Sequence, residues 1–531
     1  MSIMRGLFAI LLTATILQAQ APPPTPEAAI AAAVASLEQY QTAQSLTTIL
    51  RTLQNNIKVS ERVKAAVDEL VAEATPYRDA GKNGEARRRL LNAISVQRGL
   101  PWDQRAEFIG SVLLRTNMTV ADSSRALVAQ LTQAYAAVST SGFRLRVTLA
   151  EPAPGGKTVR EFETHNVVSR DLIDDPFVFS LNTDGLADGV YRMAAELTDG
   201  NVSICRVATN VLLVRDLEAQ RTEIEKRLAR IQGHDGAKAT VRYPFDYARV
   251  INEGRRDLIA QGTMLNEYFD FAKEVRNSLE LVKALEEGKD PLLRAGGEHE
   301  RHYWFAEGGE VMPYRVFVPK KYDGRAKLPL VVILHGAGAD QDSYLRILGN
   351  VIREEAEKHG FIIVTPLGYR PRAGWGVRGA SITIRSTAPV DPTQKYFSEL
   401  SEKDGLIVIE SVIEEYNVDR SRVYLMGNSM GGGGSWYLAA KYPERWAAVA
   451  PAAMFVSEGY PVERIKGLPV MYVHGELDTT VPVEGARQMM KRFKEIGFEI
   501  PYVEVKGGSH GRAVWDTLPQ IFDFFEKYRR N

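Results

Sequence analysis

Gly427, Asn428, Ser429, Met430 and Gly431 follow one another as G-x-S-x-G. A serine hydroxyl is a weak nucleophile until a base takes its proton and the backbone holds it clear of its neighbours. Flanking glycines suit that role, because they lack the side chains that collide in a strained turn. The pentapeptide alone is a weak signal, since ordinary glycine and serine usage yields it about 0.2 times by chance in a chain this long. Its surroundings sharpen it. Val423 to Met426 is an apolar run of strand type, and Gly431 to Gly434 followed by Trp436 to Ala440 opens a helix. Strand, tight turn and helix form the setting in which a nucleophilic serine stands exposed at a sheet edge. The helix amino terminus favours the negative charge that develops there. No Walker lysine follows, so a phosphate-binding turn fits poorly.

Such a serine needs a base, and the base needs an orienting carboxylate. Asp478 lies in His474-Gly475-Glu476-Leu477-Asp478, just past an apolar run at 470–473. His510 lies in Gly507-Gly508-Ser509-His510-Gly511, past the run at 501–505. Glu476 is the rival carboxylate and His474 the rival base; directly after a buried strand, His474 better suits bracing a loop. A tetrahedral oxyanion needs hydrogen-bond donors. His335-Gly336-Ala337-Gly338 follows the run at 330–334, which places the Ala337 N–H as one donor and the Met430 N–H as the other. His335 itself reads as a structural hydrogen-bonding residue.

The stretches 334–338, 415–419, 424–432, 474–478 with Val481 and Pro482, and 509–511 together resemble the α/β-hydrolase superfamily. Within it they are similar to the dienelactone-hydrolase, prolyl-oligopeptidase-type and polyhydroxybutyrate-depolymerase-like (feruloyl esterase-like) secreted esterases. The chain order Ser429, Asp478, His510 agrees with that superfamily. The resemblance covers about residues 300–531, under half of the chain. It implies a serine carboxylic-ester hydrolase working through an acyl-enzyme, with no metal and no organic cofactor. The implied substrates are small or polymeric esters: feruloyl or acetyl groups on polysaccharide, or a polyester. It further implies that the segment 366–400 overhangs the pocket, where Trp375, between Gly374 and Gly376, is a candidate substrate contact or equally a packing residue. A serine peptidase of prolyl-oligopeptidase type is the second reading, although no four-stranded blade repeat of a propeller precedes the motifs. An inactive scaffold or binding protein is the third, set against three filled catalytic positions.

The elements that must position these residues follow from the pattern after residue 296. Apolar runs at 330–334, 361–364, 423–426, 447–450, 470–473 and 501–505 alternate with helical segments at 348–358, 404–416, 434–441 and 484–496. That alternation predicts an α/β domain, a doubly wound and largely parallel sheet buried on both faces. Its chemistry then collects at the carboxyl ends of the strands. About 235 residues are enough for an independent domain, so residues 296–531 are expected to stand alone.

Upstream, residues 22–138 read as a helical domain, with Ser60 capping one helix and a turn at 81–84 opening another. From Ser139 to about 215 the period becomes two, as in Leu145, Val147 and Leu149, which predicts an immunoglobulin-like β-sandwich. That region is a spacer or a polymer- or protein-docking module. Residues 216–295 read as a helical hairpin or linker, ending at Gly288 and Pro291. At the start, Arg5, the apolar stretch from Gly6 to Leu17 and the small residues Ala19 and Ala21 predict a signal peptide over 1–21, hence a secreted or periplasmic protein with no membrane span after its removal. Of the 531 residues, 66 are Lys or Arg and 66 Asp or Glu, a net charge of zero that argues against a nucleic-acid binder. A single cysteine, Cys205, excludes an intrachain disulfide.

Overall fold

The computed structural model describes residues 43–530, apart from 81, 138–142, 153–155, 163–164, 168–171, 254–269, 348, 378–391 and 458. The expected signal peptide, and residues 378–391 of the segment expected to overhang the pocket, lie outside the described residues. No helix among the described residues is long and apolar enough to cross a membrane. The chain divides into two compact units, one of residues 1–220 with 248–274 and one of 221–247 with 275–531.

Among the described residues the first unit begins with helices α1 (Ala43–Asn56), α2 (Glu61–Asp79), α3 (Asn83–Gln97) and α4 (Gln104–Ser111). Ser60 caps α2, its hydroxyl accepting from the Val63 N–H at 3.4 Å. Leu46, Leu50, Val67, Leu90, Leu91 and Ile94 form the core of α1 to α3. Strands β1 (Val112–Thr116), β2 (Val120–Asp122) and β3 (Leu127–Gln133) come next. The helical region therefore ends at Ser111 rather than near residue 138. The reason is local: α4 passes directly into β1 with no turn between them, and Gly110 lies inside the last turn of the helix rather than after it. Strands β4 (Phe143–Ala150), β5 (Thr158–Glu161), β6 (His165–Val167), β7 (Phe177–Leu181), β8 (Gly189–Asp199) and β9 (Val202–Val214) follow. They form a three-stranded sheet, β1-β3-β7, and a six-stranded sheet with β2-β9-β8-β4-β5 in order and β6 beside β4. Leu114, Leu131 and Leu181 of the first sheet share one core with Leu145, Met193 and Val211 of the second.

Helices α5 (Leu217–Leu228), α6 (Asp235–Asn252) and α7 (Phe271–Glu286) follow. Residues 221–247 and 275–295 belong to the second unit, so the segment 216–295 is not a separate linker. The contacts explain why. Asp246 accepts from the Val311 N–H at 2.6 Å. The Tyr243 and His302 rings lie 3.9 Å apart, and Arg301, 1% exposed, pairs with Asp290 at 3.7 Å and Glu415 at 3.0 Å.

The sheet of the second unit begins with a hairpin, β10 (Gly297–Phe305) and β11 (Glu310–Val318), followed by β12 (Leu328–Leu334). Helices α8 (Ser343–Ile347) and α9 (Gly349–His359) lead to β13 (Ile362–Pro366), and α10 (Pro392–Glu415) leads to β14 (Val418–Asn428). Then come α11 (Met430–Lys441), β15 (Ala448–Ala452), β16 (Tyr472–Gly475), α12 (Val483–Glu495), β17 (Tyr502–Val505) and α13 (Arg512–Glu526). The order is β10-β11-β13-β12-β14-β15-β16-β17. β11 pairs antiparallel with β10 and β13, and the pairs from β13 and β12 through to β17 are parallel. Both faces are covered, as a doubly wound sheet requires. Leu330, Val332 and Leu334 enter one core with Val408 and Trp436. Val331 and Ile333 enter the other with Ile352 and Phe522. The chain leaves β12 for β13 on one side and returns to β14 on the other. The loops after β12 and β14 are therefore neighbours at a switch point, where α/β sheets place their ligands.

Candidate active site

Ser429 sits between the last residue of β14 and the first of α11, with φ +58° and ψ −120°. A non-glycine residue pays for that backbone conformation, and its neighbours must hold it there. They do so by close approach. A Cβ at Gly431 would lie 1.9 Å from the Leu334 carbonyl oxygen, and one at Gly427 would lie 2.4 Å from the Gly431 oxygen. Both glycines are thus required for β14, α11 and the end of β12 to meet. The Ser429 N–H donates to the Ala452 carbonyl at 3.0 Å, which ties the turn to β15.

Asp478 and His510 come from the loops after β16 and β17, which are adjacent strands. His510 Nδ1–H donates to Asp478 Oδ2 at 2.7 Å, which leaves Nε2 as the nitrogen available to accept a proton. The Asp478 side chain is fully buried. Burial opposes its charge, but the bond from His510 and the N–H groups of Val481 and Thr480 outweigh that cost and hold its carboxyl below the ordinary range. Those two N–H groups reach Oδ1 at 2.8 and 2.9 Å. The Asp478–His510 arm is therefore assembled. His510 has no hydrogen bond to Ser429 Oγ here, its side-chain partner being Asp478; in unliganded sites such bonds often close only around substrate.

The two rival residues are engaged elsewhere. Glu476 accepts from the Gly507 N–H at 2.7 Å and ties the two loops together. His474 is wholly buried, and its Nε2–H donates to the Val481 carbonyl at 2.8 Å, so Nδ1 accepts from the Tyr472 hydroxyl at 2.7 Å. Burial pushes its imidazole below the ordinary value, opposed by the Val481 carbonyl and Asp478. It braces the loop that carries Asp478, and its Nε2 stands 3.4 Å from Asp478 Oδ2.

The loop after β12 reaches Ser429: a Cβ at Gly336 would lie 3.5 Å from Ser429 Cβ. The Ala337 and Met430 N–H groups form no hydrogen bond among the described residues, so both remain available to an oxyanion. His335 is buried beneath this loop with Nε2 2.7 Å from the Leu367 carbonyl.

Trp375 is not at the surface of a pocket. It is 0% exposed, which corrects its reading as a substrate contact: its indole lies in the core, with Nε1–H donating to the His335 carbonyl at 3.1 Å. Asp404 was missed altogether. Fully buried on α10, it accepts from the N–H groups of Gly368 and Tyr369 at 2.5 and 2.9 Å and from the Tyr303 hydroxyl at 2.5 Å. One signal could have found it, since Asp404 is an acid on the helical stripe that also carries Leu400, Val408 and Val412, all buried.

Comparison with known proteins bears on this region. Residues 306–471 match the model of the Esterase family. Feruloyl esterase B of Neurospora crassa is 31% identical over 135 residues, which is 25% of this chain and 41% of that protein. A bifunctional acetylxylan esterase/xylanase of Neocallimastix patriciarum is 26% identical over 167 residues, 32% of this chain and 22% of that one. Cutinase 2 of Thermobifida cellulosilytica is 27% identical over 165 residues, 29% of this chain and 62% of that one. The chain thus spans less than two thirds of the length of each of these curated relatives. A crystal structure of a thermostable esterase aligns over 79% of this chain and 100% of that one, at 18% identity and a TM-score of 0.36. The matched region, which carries β12, β14 and the Ser429 turn, is thus similar to the Esterase family.

Proposed function

We propose that the protein is an exported serine carboxylic-ester hydrolase. The observation that carries the reading is the backbone of Ser429, held at φ +58° on the β14–α11 turn. The Asp478–His510 pair on the neighbouring loops supports it. Ser429 Oγ attacks the ester carbonyl carbon while His510 Nε2 takes its proton. The Ala337 and Met430 N–H groups receive the oxyanion. Collapse of the tetrahedral intermediate expels the alcohol, protonated by His510, and leaves an acyl-enzyme. Water, deprotonated by His510, attacks that acyl group and releases the acid and Ser429. The curated relatives named for feruloyl, acetylxylan and cutin esters favour acyl esters of plant polysaccharide or a polyester as substrate. The apolar stretch at 6–17 supports export.

A fluorophosphonate probe tests the reading. It should label the wild-type protein and fail to label Ser429→Ala, and the wild type should hydrolyse p-nitrophenyl acetate, methyl ferulate or acetylated xylan. Labelling that persists in Ser429→Ala, or turnover of prolyl arylamides without any ester, would overturn it.

A further inference from the structure

Trp375 is held in a backbone conformation that bulky residues avoid. Its φ is +58°, a rare outlier for an aromatic side chain, and it sits where three elements of the site converge. Its Nε1–H donates to the His335 carbonyl, in the peptide that leads directly into Gly336 and Ala337. Its side chain lies against the start of α11, where a Cβ at Gly434 would come within 2.5 Å of Trp375 Cβ. Its main-chain N–H donates to Ser401 Oγ on α10 at 3.0 Å. On another side the ring lies on Gly368, where an added Cβ would come within 2.7 Å of it. Gly368 is in turn fixed by Asp404. The indole also meets the His335 ring edge-on, with centroids 5.0 Å apart.

These contacts share one consequence. The two oxyanion donors come from different elements, Ala337 from the loop after β12 and Met430 from the first residue of α11. An oxyanion hole works because its donors are fixed before charge develops, so the spacing between these elements must be held. Trp375 touches both: it hydrogen-bonds the loop and packs on the helix. We infer that Trp375 is a positioning residue that sets the separation of the Ala337 and Met430 N–H groups. It contacts no reacting atom. The inference rests on the reading of Ser429 as the esterase nucleophile.

The test uses the full chain and a soluble p-nitrophenyl ester. Trp375→Phe keeps an aromatic ring and deletes the donor to His335. The expected result is a kcat lower by about 10- to 100-fold, the scale of a ~1 Å misplacement in a catalytic constellation, with KM within about threefold of wild type, the pattern of an interaction made in the transition state. Inhibition by phenylboronic acid, which forms a tetrahedral adduct on a serine, should weaken by the same factor as kcat/KM. Gly434→Ala displaces the indole from the other side with its N–H intact and should give the same selective loss of kcat, even if Trp375→Phe fails to fold. A lower melting temperature with kcat per folded molecule unchanged in both variants would make Trp375 a packing residue and overturn the inference. A raised KM at unchanged kcat would return it to substrate binding and overturn it equally. Loss of fluorophosphonate labelling in the wild type would instead remove the esterase reading itself, so the two failures are distinct.

Discussion

His510 Nδ1 and Asp478 Oδ2 stand 2.7 Å apart across the loops that follow two neighbouring parallel strands. That bond fixes which imidazole nitrogen carries the proton. Asp478→Asn should reverse the bond's polarity, favour the wrong tautomer and lower kcat by roughly 10³- to 10⁴-fold. Glu476→Gln, at a residue whose carboxylate accepts from the Gly507 N–H, should cost less than about tenfold, since it leaves the Asp478–His510 bond in place. Measured kcat values in the opposite order would move the orienting role to Glu476.

The residues proposed as a triad were legible because each sits in a glycine-marked loop directly after an apolar run, and parallel strands place such loops on one edge. The hairpin at the sheet edge was not. In β10, Glu298, Glu300, Arg301 and His302 interrupt every apolar run. Their charges are matched by residues outside the strand, Glu298 by Arg353 and Glu300 by Arg315 directly across the hairpin, so periodicity gives no sign of a strand. Helix α13 was hidden by Pro519 in its middle, a residue that ordinarily ends a helical pattern. Trp375 was legible as a residue of interest, but not which of its two readings holds. Nothing in a tryptophan between glycines distinguishes a ring over substrate from one packed on Gly434 and Gly368. Only the positions of α10 and α11 decide it.

Acid should destabilise the protein through two buried imidazoles. Burial lowers His335 from its ordinary 6.5, against the carbonyls of Gly336 and Leu367 and the charge of Asp340. Burial also lowers His474 from 6.5; the Val481 carbonyl, Asp478 and Glu504 oppose the shift, and His510 adds to it. Below that value the unfolded chain takes up protons at these residues while the folded chain does not, so stability falls as pH is lowered until the folded-state values are reached. The slope is at most about 1.4 kcal/mol per pH unit for each imidazole. The melting temperature should therefore decline between pH 7.5 and 5.5, and His474→Gln should have a shallower decline from a lower start. A flat profile in the wild type, or an unchanged slope in the variant, would contradict this assignment.

The extent of the catalytic unit gives the last prediction. The sequence pattern places its start near residue 296, but β10 and β11 are completed by residues before that point. His302 Nδ1 meets Thr240 Oγ1 at 3.3 Å, and the buried Val311 N–H has Asp246 as its acceptor. Arg301 would also lose Asp290. Leaving a buried N–H without its acceptor costs about 1–3 kcal/mol, and exposing the surface that Tyr243 covers at His302 adds to that. A chain of residues 296–531 should therefore be aggregated, or melt well below a chain of residues 221–531, which keeps all of these partners. In the full-length protein, Asp246→Ala should lower the melting temperature while leaving fluorophosphonate labelling of Ser429 intact. Equal melting temperatures and equal labelling of the two shortened chains would show that residues 221–295 merely lie against a domain that is complete without them.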